Sequence, residues 1–406
     1  MVATPVFGKL IDHFRVVPEY VGPSLAHDLI NEDGHMYLAD TMQEVVVASA
    51  AQASSYGLEE GIYLLGTGST GIAQTLLTMG AGYACIMGLC STMFKLPPAG
   101  YQPAGVEAPA AGPGDKPVMK AFDVDVATAS STKQFWLMWT GFGLSICGAY
   151  GILSTGKTML QEGFQVAAPE LVTAGFAASF VAMISLANLG GRVFWSNVSD
   201  VLCKKVGGDP FTGRKMTYTL MWGMTPPLYA AVVWSVHNFA TSPGVFPLAV
   251  FTGSVCLIVS SFGGSAATRP AIVSDLFGTN NVGVLTARQL SVVLPSAWAG
   301  PKIATSLREH SIMKAIDSLS EKVEDNAFLV AFGTDKAHLP ELIDQKSISI
   351  ARLMEVVPPG TVDPTPFVYD DVMYAMVGLN VVAVLCNLAT FPVAEKYHTK
   401  PDTRSP

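Results

Sequence analysis

GGSAATRPAIVSDLFGTNNVG, residues 263–283, and NLGGRVFWSNVSD, residues 188–200, decide how this chain folds. Each lies at the end of a helix-length apolar run, and each puts Arg, Asp and Gly at the mouth of that run. The first carries Arg269 and Asp275; the second carries Asn188, Arg192 and Asp200. An Arg inside hydrocarbon costs roughly 2.5–3.5 kcal/mol on insertion scales. Such residues therefore belong where they are paired or hydrated, at the ends of membrane helices.

Working outward, a span needs roughly 20 predominantly apolar residues. Runs of that size occur at 61–94, 134–156, 171–191, 216–236, 238–268 and 372–394, and a further one at 276–301 is interrupted only by Arg288. Seven spans are expected. Within 238–268, Ser242-Pro243-Gly244 marks a turn. Composition agrees: half the residues are apolar and 14% are charged, against about 25% in soluble domains. The net charge of -8 leaves no basic surface for nucleic acid.

The six cysteines form no CxxC pair, so packing, not a metal or a disulfide framework, is their expected role. The start, MVATPVFGKLIDHFR, lacks the pattern of a cleavable signal peptide. No nucleophile has a local partner set, so the chain reads as no enzyme and needs no cofactor. GTGSTGIAQTLLTMGAG at 66–82 lacks a Lys-Ser/Thr ending; its small residues suit close helix packing.

Orientation follows from Lys and Arg in short connections. Lys95, Lys116, Lys120, Lys133, Arg192, Lys204, Lys205, Arg214, Lys215, Lys396, Lys400 and Arg404 fall on one side, whereas the alternate short connections hold only Lys157. The first side is assigned to the cytoplasm. The expected plan is the end of a membrane helix with an acidic non-cytoplasmic loop (1–60), then one span (61–95). A Pro/Gly-rich cytoplasmic linker follows (96–133), then a bundle of six helices (134–395) with a non-cytoplasmic insertion at 302–371 and a cytoplasmic tail (396–406). Residues 1–60 hold nine acids, and 302–371 hold twelve acids against seven bases. Ser311 to Val323 reads as helical within that insertion. A short echo, FRVVPEY at 14–20 and MEVVPPG at 354–360, fits parallel repeats.

PPAGYQPAG at 97–105, the two opening segments, and LTARQLSVVLPSAWAGP at 285–301 occur in this order. On these pieces the chain resembles the oxalate/formate antiporter-like, or monocarboxylate transporter-like, branch of the major facilitator superfamily. The resemblance covers about 61–305 plus 372–395. It implies an all-α, multi-pass transmembrane helical bundle: the C-terminal half of such a carrier plus one preceding helix. The family has twelve spans, and this chain would supply the sixth to the twelfth, with VATPVFGKLIDHF resembling the outer end of the fifth. An N-terminally incomplete chain is expected. Oxalate exchangers of the family use basic groups near mid-membrane in the eighth and eleventh helices. Here Ser179 to Ser185 and Leu290 to Trp298 hold no Lys or Arg, so a monocarboxylate or another small solute fits at least as well as oxalate.

The resemblance implies secondary active transport of a small organic anion by alternating access, with a co-transported proton or a counter-anion. The setting is a lipid bilayer, either the plasma membrane or that of an organelle. Alternatives left open are a transport-inactive membrane scaffold and a seven-span receptor-like protein. Substrate-contact candidates are Arg288, Gln74, Trp298 and Trp139, since guanidinium grips carboxylates through two hydrogen bonds. Asn188, Arg192, Asp200, Arg269 and Asp275 are candidates for gating or pairing at helix turns. Arg192 is expected to latch with Asp200, and Asp275 to pair with Arg269, Arg288 or Arg192. Arg269 is placed at the membrane edge. Pro226-Pro227, Pro295 and Gly300-Pro301 should bend their helices.

Overall fold

The computed structural model describes residues 3–23, 29–32, 35–48, 58–95, 123–165, 168–206, 209–344 and 348–398. It is an all-α membrane bundle carrying one small sheet, and it divides into two compact units, Met1–Asp115 and Lys116–Pro406. Of the expected linker (96–133), residues 96–122 lie outside the described residues, as do residues 399–406 of the expected tail (396–406).

The first unit starts with α1 (Ala3–Phe14) and ends with α2 (Ile72–Met93). Between them, β1 (Tyr20–Gly22), β2 (Leu29–Glu32), β3 (His35–Leu38), β4 (Glu44–Ala48) and β5 (Gly61–Leu64) form an antiparallel sheet of order β1-β5-β4-β3-β2. Its core is Leu38, Val45 and Ile62. The sheet is a departure from the acidic loop expected over 1–60, and Gly61–Leu64 joins it instead of starting the membrane helix. β-branched Val45-Val46-Val47 suits a pleated strand, with Val45 buried in the small core and Val46 and Val47 exposed. α2 has no charged residue and is apolar and long enough to cross a bilayer.

The second unit opens with a short helix, α3 (Val126–Ser131), where a structureless linker was expected. Asp125 caps it, accepting from the backbone N–H of Ala127 and Thr128. Then follow α4 (Lys133–Leu160), extended by a π-helical turn at Gln161–Gln165, and α5 (Ala174–Lys205). Next come α6 (Pro210–Gly223), α7 (Thr225–Thr241), α8 (Val245–Phe277), α9 (Val282–Leu290) and α10 (Val293–Lys322). Short helices α11 (Asp325–Phe332), α12 (Leu339–Asp344) and α13 (Ile350–Met354) lead into α14 (Asp370–Leu388). Among the described residues five helices are long and apolar enough to span: α2, α4, α5, α8 and α14 with its preceding turn.

The other two expected spans, 216–236 and 276–301, are each split into abutting helices. Proline explains the first break. Pro226 and Pro227 have no N–H to return to the preceding turn, and Thr225 Oγ1, 2.7 Å from Trp222 O, supplies a donor in their place. α6 and α7 still run as one rod, because both line up antiparallel against α14. Asn387 Nδ2 donates to Lys215 O, Thr225 Oγ1 meets Asn380 Oδ1, and His237 meets Asp370. Likewise α9 and α10 together track α4 in parallel, through Gln289 to Phe135 O, Trp139 to Ser291, and Ser296 to Gly143 O. Pro301 lies inside α10, as Pro270 does inside α8.

α5 and α8 are the most intimate pair. A Cβ on Gly263 would fall 2.1 Å from Asn188 O, and one on Gly191 would fall 2.2 Å from Ser260 O. Only glycine lets the two backbones touch, the usual device where apolar solvent gives no hydrophobic drive to association. α10 runs on through Ser311–Lys322, the stretch read as helical. Its far end packs Ile316 and Leu319 with Phe328, Leu342, Ile350 and Leu353, in one core continuous with the bundle.

Candidate functional site

The helix ends at 123–133, 209–215, 275–282 and 388–392 form one end of the bundle, and it carries one set of ionic contacts. Arg214, at the start of α6, donates from Nε to Asp275 Oδ2 of α8 at 2.5 Å. Its Nη1 reaches Ser199 Oγ at 3.1 Å and Asp200 Oδ1 at 3.5 Å on α5. One guanidinium thus ties three helices. The approach is close because Gly213 lies against the backbone of Cys203, 2.5 Å from where a Cβ would sit. Lys215 closes the same end, donating to Leu388 O and Thr390 O beyond α14. Asp123 accepts from the Asn280 backbone and side chain, which pins the segment before α3 to the α8–α9 turn.

Deeper in, about six residues or ~9 Å along α8 from Asp275, Arg269 is 2% exposed. Its guanidinium lies 4.2 Å from the centroid of the Phe142 ring. Its Nε and Nη1 are buried and have no hydrogen-bond partner among the described residues. Burying a charge costs several kcal/mol even after relaxation, and a desolvated cation–π contact returns about 2 kcal/mol. The cation is under-compensated. Around it, Phe142, Tyr218 and Trp222 pack edge to face with centroids 5.1–5.3 Å apart. Their polar tips are satisfied elsewhere: Tyr218 OH donates to Ser265 O, Trp222 Nε1 to Ser265 Oγ, and Thr268 Oγ1 to Tyr218 OH.

The opposite end has its own network. Arg308 of α10 donates from Nη2 to Glu162 Oε1 at 2.6 Å and from Nε to Tyr369 OH at 2.9 Å, and Tyr369 OH donates to Glu162 Oε2 at 2.7 Å. Beside it, His237 and Asp370 approach to 2.6 Å.

The residues singled out in sequence are distributed as follows. Arg192 is exposed and donates to Asn188 Oδ1 at 3.4 Å on its own helix, so it does not latch with Asp200. Asp200 and Asp275 meet, through Arg214, a residue read only as a topological base. Asp275 pairs with none of Arg269, Arg288 and Arg192. Arg269, expected at the membrane edge, is buried among the helices of the bundle. Arg288 donates to Ser130 Oγ at 2.7 Å and Val126 O at 3.4 Å, tying α9 to α3. Trp139 Nε1 donates to Ser291 Oγ at 3.0 Å. Trp298 is 71% exposed on α10, and Gln74 is exposed on α2 of the first unit. A cavity of about 530 Å³ belongs to that first unit, lined by Val16, Pro18, Tyr63, Leu65 and Gly68 among others. Glu162, Arg308 and Tyr369 were missed because their partners are 146 and 207 residues apart in sequence.

Several helices able to cross a bilayer, packed through glycine contacts with their ion pairs at the ends, make this a multi-pass membrane protein. Among curated proteins, the oxalate:formate antiporter of Oxalobacter formigenes is 27% identical to it over 179 residues. That match covers 43% of this chain and 37% of the antiporter, so the chain spans well under half of its relative. No protein-family model matches the chain, and no solved structure matches it.

Proposed function

We propose that this protein is a secondary carrier of small organic anions, built on the major facilitator plan and working by alternating access against a counter-anion or a proton. The observation that carries the reading is the similarity to an oxalate:formate antiporter, on a chain whose helices suit a bilayer. The ion pairs at the bundle ends suit this role. Alternating access needs contacts that hold helices in one state and release them in another, and Arg214 with Asp200 and Asp275 ties α5, α6 and α8 at one end. On this reading that end faces the cytoplasm, and the acidic segments 1–60 and 302–371 lie on the far side. The test is exchange in proteoliposomes. Vesicles containing the full chain and preloaded with formate or oxalate should take up labelled formate or oxalate faster than protein-free vesicles. Equal rates with and without protein, for both anions, would overturn the reading.

A further inference from the structure

We propose that Arg269 is the anion-contacting residue of the bundle and that it takes a small monocarboxylate. This deepens the carrier reading and rests on it for the choice of anion, but its geometry stands by itself. The guanidinium is nine-tenths buried and more, its Cζ lies over the Phe142 ring, and it holds no carboxylate among the described residues. Its Nε and Nη1 are enclosed without acceptors among the described residues. Each fork by which guanidinium grips a carboxylate uses one of these two nitrogens, Nε on the side edge or Nη1 on the end edge, so each has an N–H without an acceptor.

The bundle's paired acids are engaged elsewhere. Asp275 and Asp200 are with Arg214, Glu162 is with Arg308 and Tyr369, and Asp370 is with His237. Of the neighbouring hydroxyls, Tyr218 OH donates to Ser265 O and Thr268 Oγ1 to Gly264 O or Tyr218 OH, while Ser265 Oγ accepts from Trp222 Nε1 and donates to Met221 Sδ. What the site lacks is one negative charge with paired acceptors. A carboxylate supplies both, and it would meet aromatic surface from Phe142, Tyr218 and Trp222 behind the cation.

Charge count sets the class. Arg269 contributes a single positive charge, and Ser179–Ser185 and Leu290–Trp298 add none. A monoanion is neutralised by one guanidinium; a dianion is left with an excess charge in a medium of low dielectric. Formate therefore fits better than oxalate.

The experiment uses the purified full chain in detergent, with formate, oxalate and the neutral isostere formamide as probes. Formate should raise the unfolding temperature of the wild type and bind it more tightly than oxalate, and formamide should do neither. In Arg269→Gln the response to formate should fall by about tenfold or more, as for loss of hydrogen bonds to a charged group. Arg269→Lys keeps the charge but loses the fork, and it should give a weaker response than the wild type. Without anion, Arg269→Gln should melt at or above the wild-type temperature, because it removes an uncompensated charge; a merely structural arginine would do the reverse. If Arg269→Gln does not fold, Arg269→Lys decides. A formate response equal in wild type and variant, or absent from the wild type, would overturn the proposal. Binding at Arg269 without anion exchange in proteoliposomes would instead defeat the carrier reading and leave this one standing.

Discussion

Arg214 holds Asp275 at 2.5 Å with both side chains less than one-fifth exposed, at 18% and 16%. Removing one member of a buried pair costs about 3–5 kcal/mol because the other is left charged and unpaired. Partial hydration lowers that here to about 1–3 kcal/mol. Arg214→Gln and Asp275→Asn should each lower the unfolding temperature in detergent, and the double variant should lose less than the sum of the two. Strictly additive losses would mean that the two groups do not act as a pair. The sequence showed that charges gather at these helix mouths, since hydrocarbon tolerates them nowhere else. It did not show which cation meets which anion. Arg214 and Asp275 stand 61 residues apart, and several arginines were equally available by position. The burial of Arg269 was equally hidden, because it depends on which face α8 turns toward Phe142 of α4, not on distance from Pro270.

At the scale of the helix, the α5–α8 contact depends on missing side chains. Gly263→Val would drive a branched Cβ into Asn188 O, and backbone cannot yield as a flexible side chain would. That variant should separate the two helices and lose several degrees of thermal stability. Gly253, on the same α8, has nothing within 4 Å of its Cβ position. Gly253→Ala should be neutral or add up to about 1 kcal/mol through helix propensity. Equal behaviour of the two variants in a melting series would count against backbone contact as the source of the pairing. The apolar runs made these helices legible in sequence, and Ser242-Pro243-Gly244 correctly separated α7 from α8. Pro226-Pro227 forecast a bend, and the helix is interrupted there at Met224, between α6 and α7. The sheet at 20–64 was not legible. Its strands are three to five residues long, too short for alternation to stand out from an acidic background.

For the whole molecule, the charge bias makes a claim that packing does not. Lys204, Lys205, Arg214 and Lys215 cluster at the end of the bundle where α5 meets α6. The extension of α10 with α11 to α13 projects from the opposite end. Short basic connections stay on the cytoplasmic side during insertion, so the two ends should face different compartments. Lys205→Cys and Ala337→Cys place one thiol at each end, both at exposed positions, and labelling of the unchanged chain gives the background from its own cysteines. In intact cells a membrane-impermeant maleimide should modify Ala337→Cys, and it should reach Lys205→Cys only after permeabilisation. The reverse pattern would turn the bundle over and put the Arg214 latch on the outside. Equal labelling before permeabilisation would mean that the two ends share a compartment, which no bundle with α6–α7, α8 and α9–α10 as three complete spans permits. The outcome bears on the proposed carrier reading directly: with the expected pattern, the Arg214 contacts and the Glu162–Arg308–Tyr369 contacts lie toward opposite faces of the membrane, with Arg269 between them.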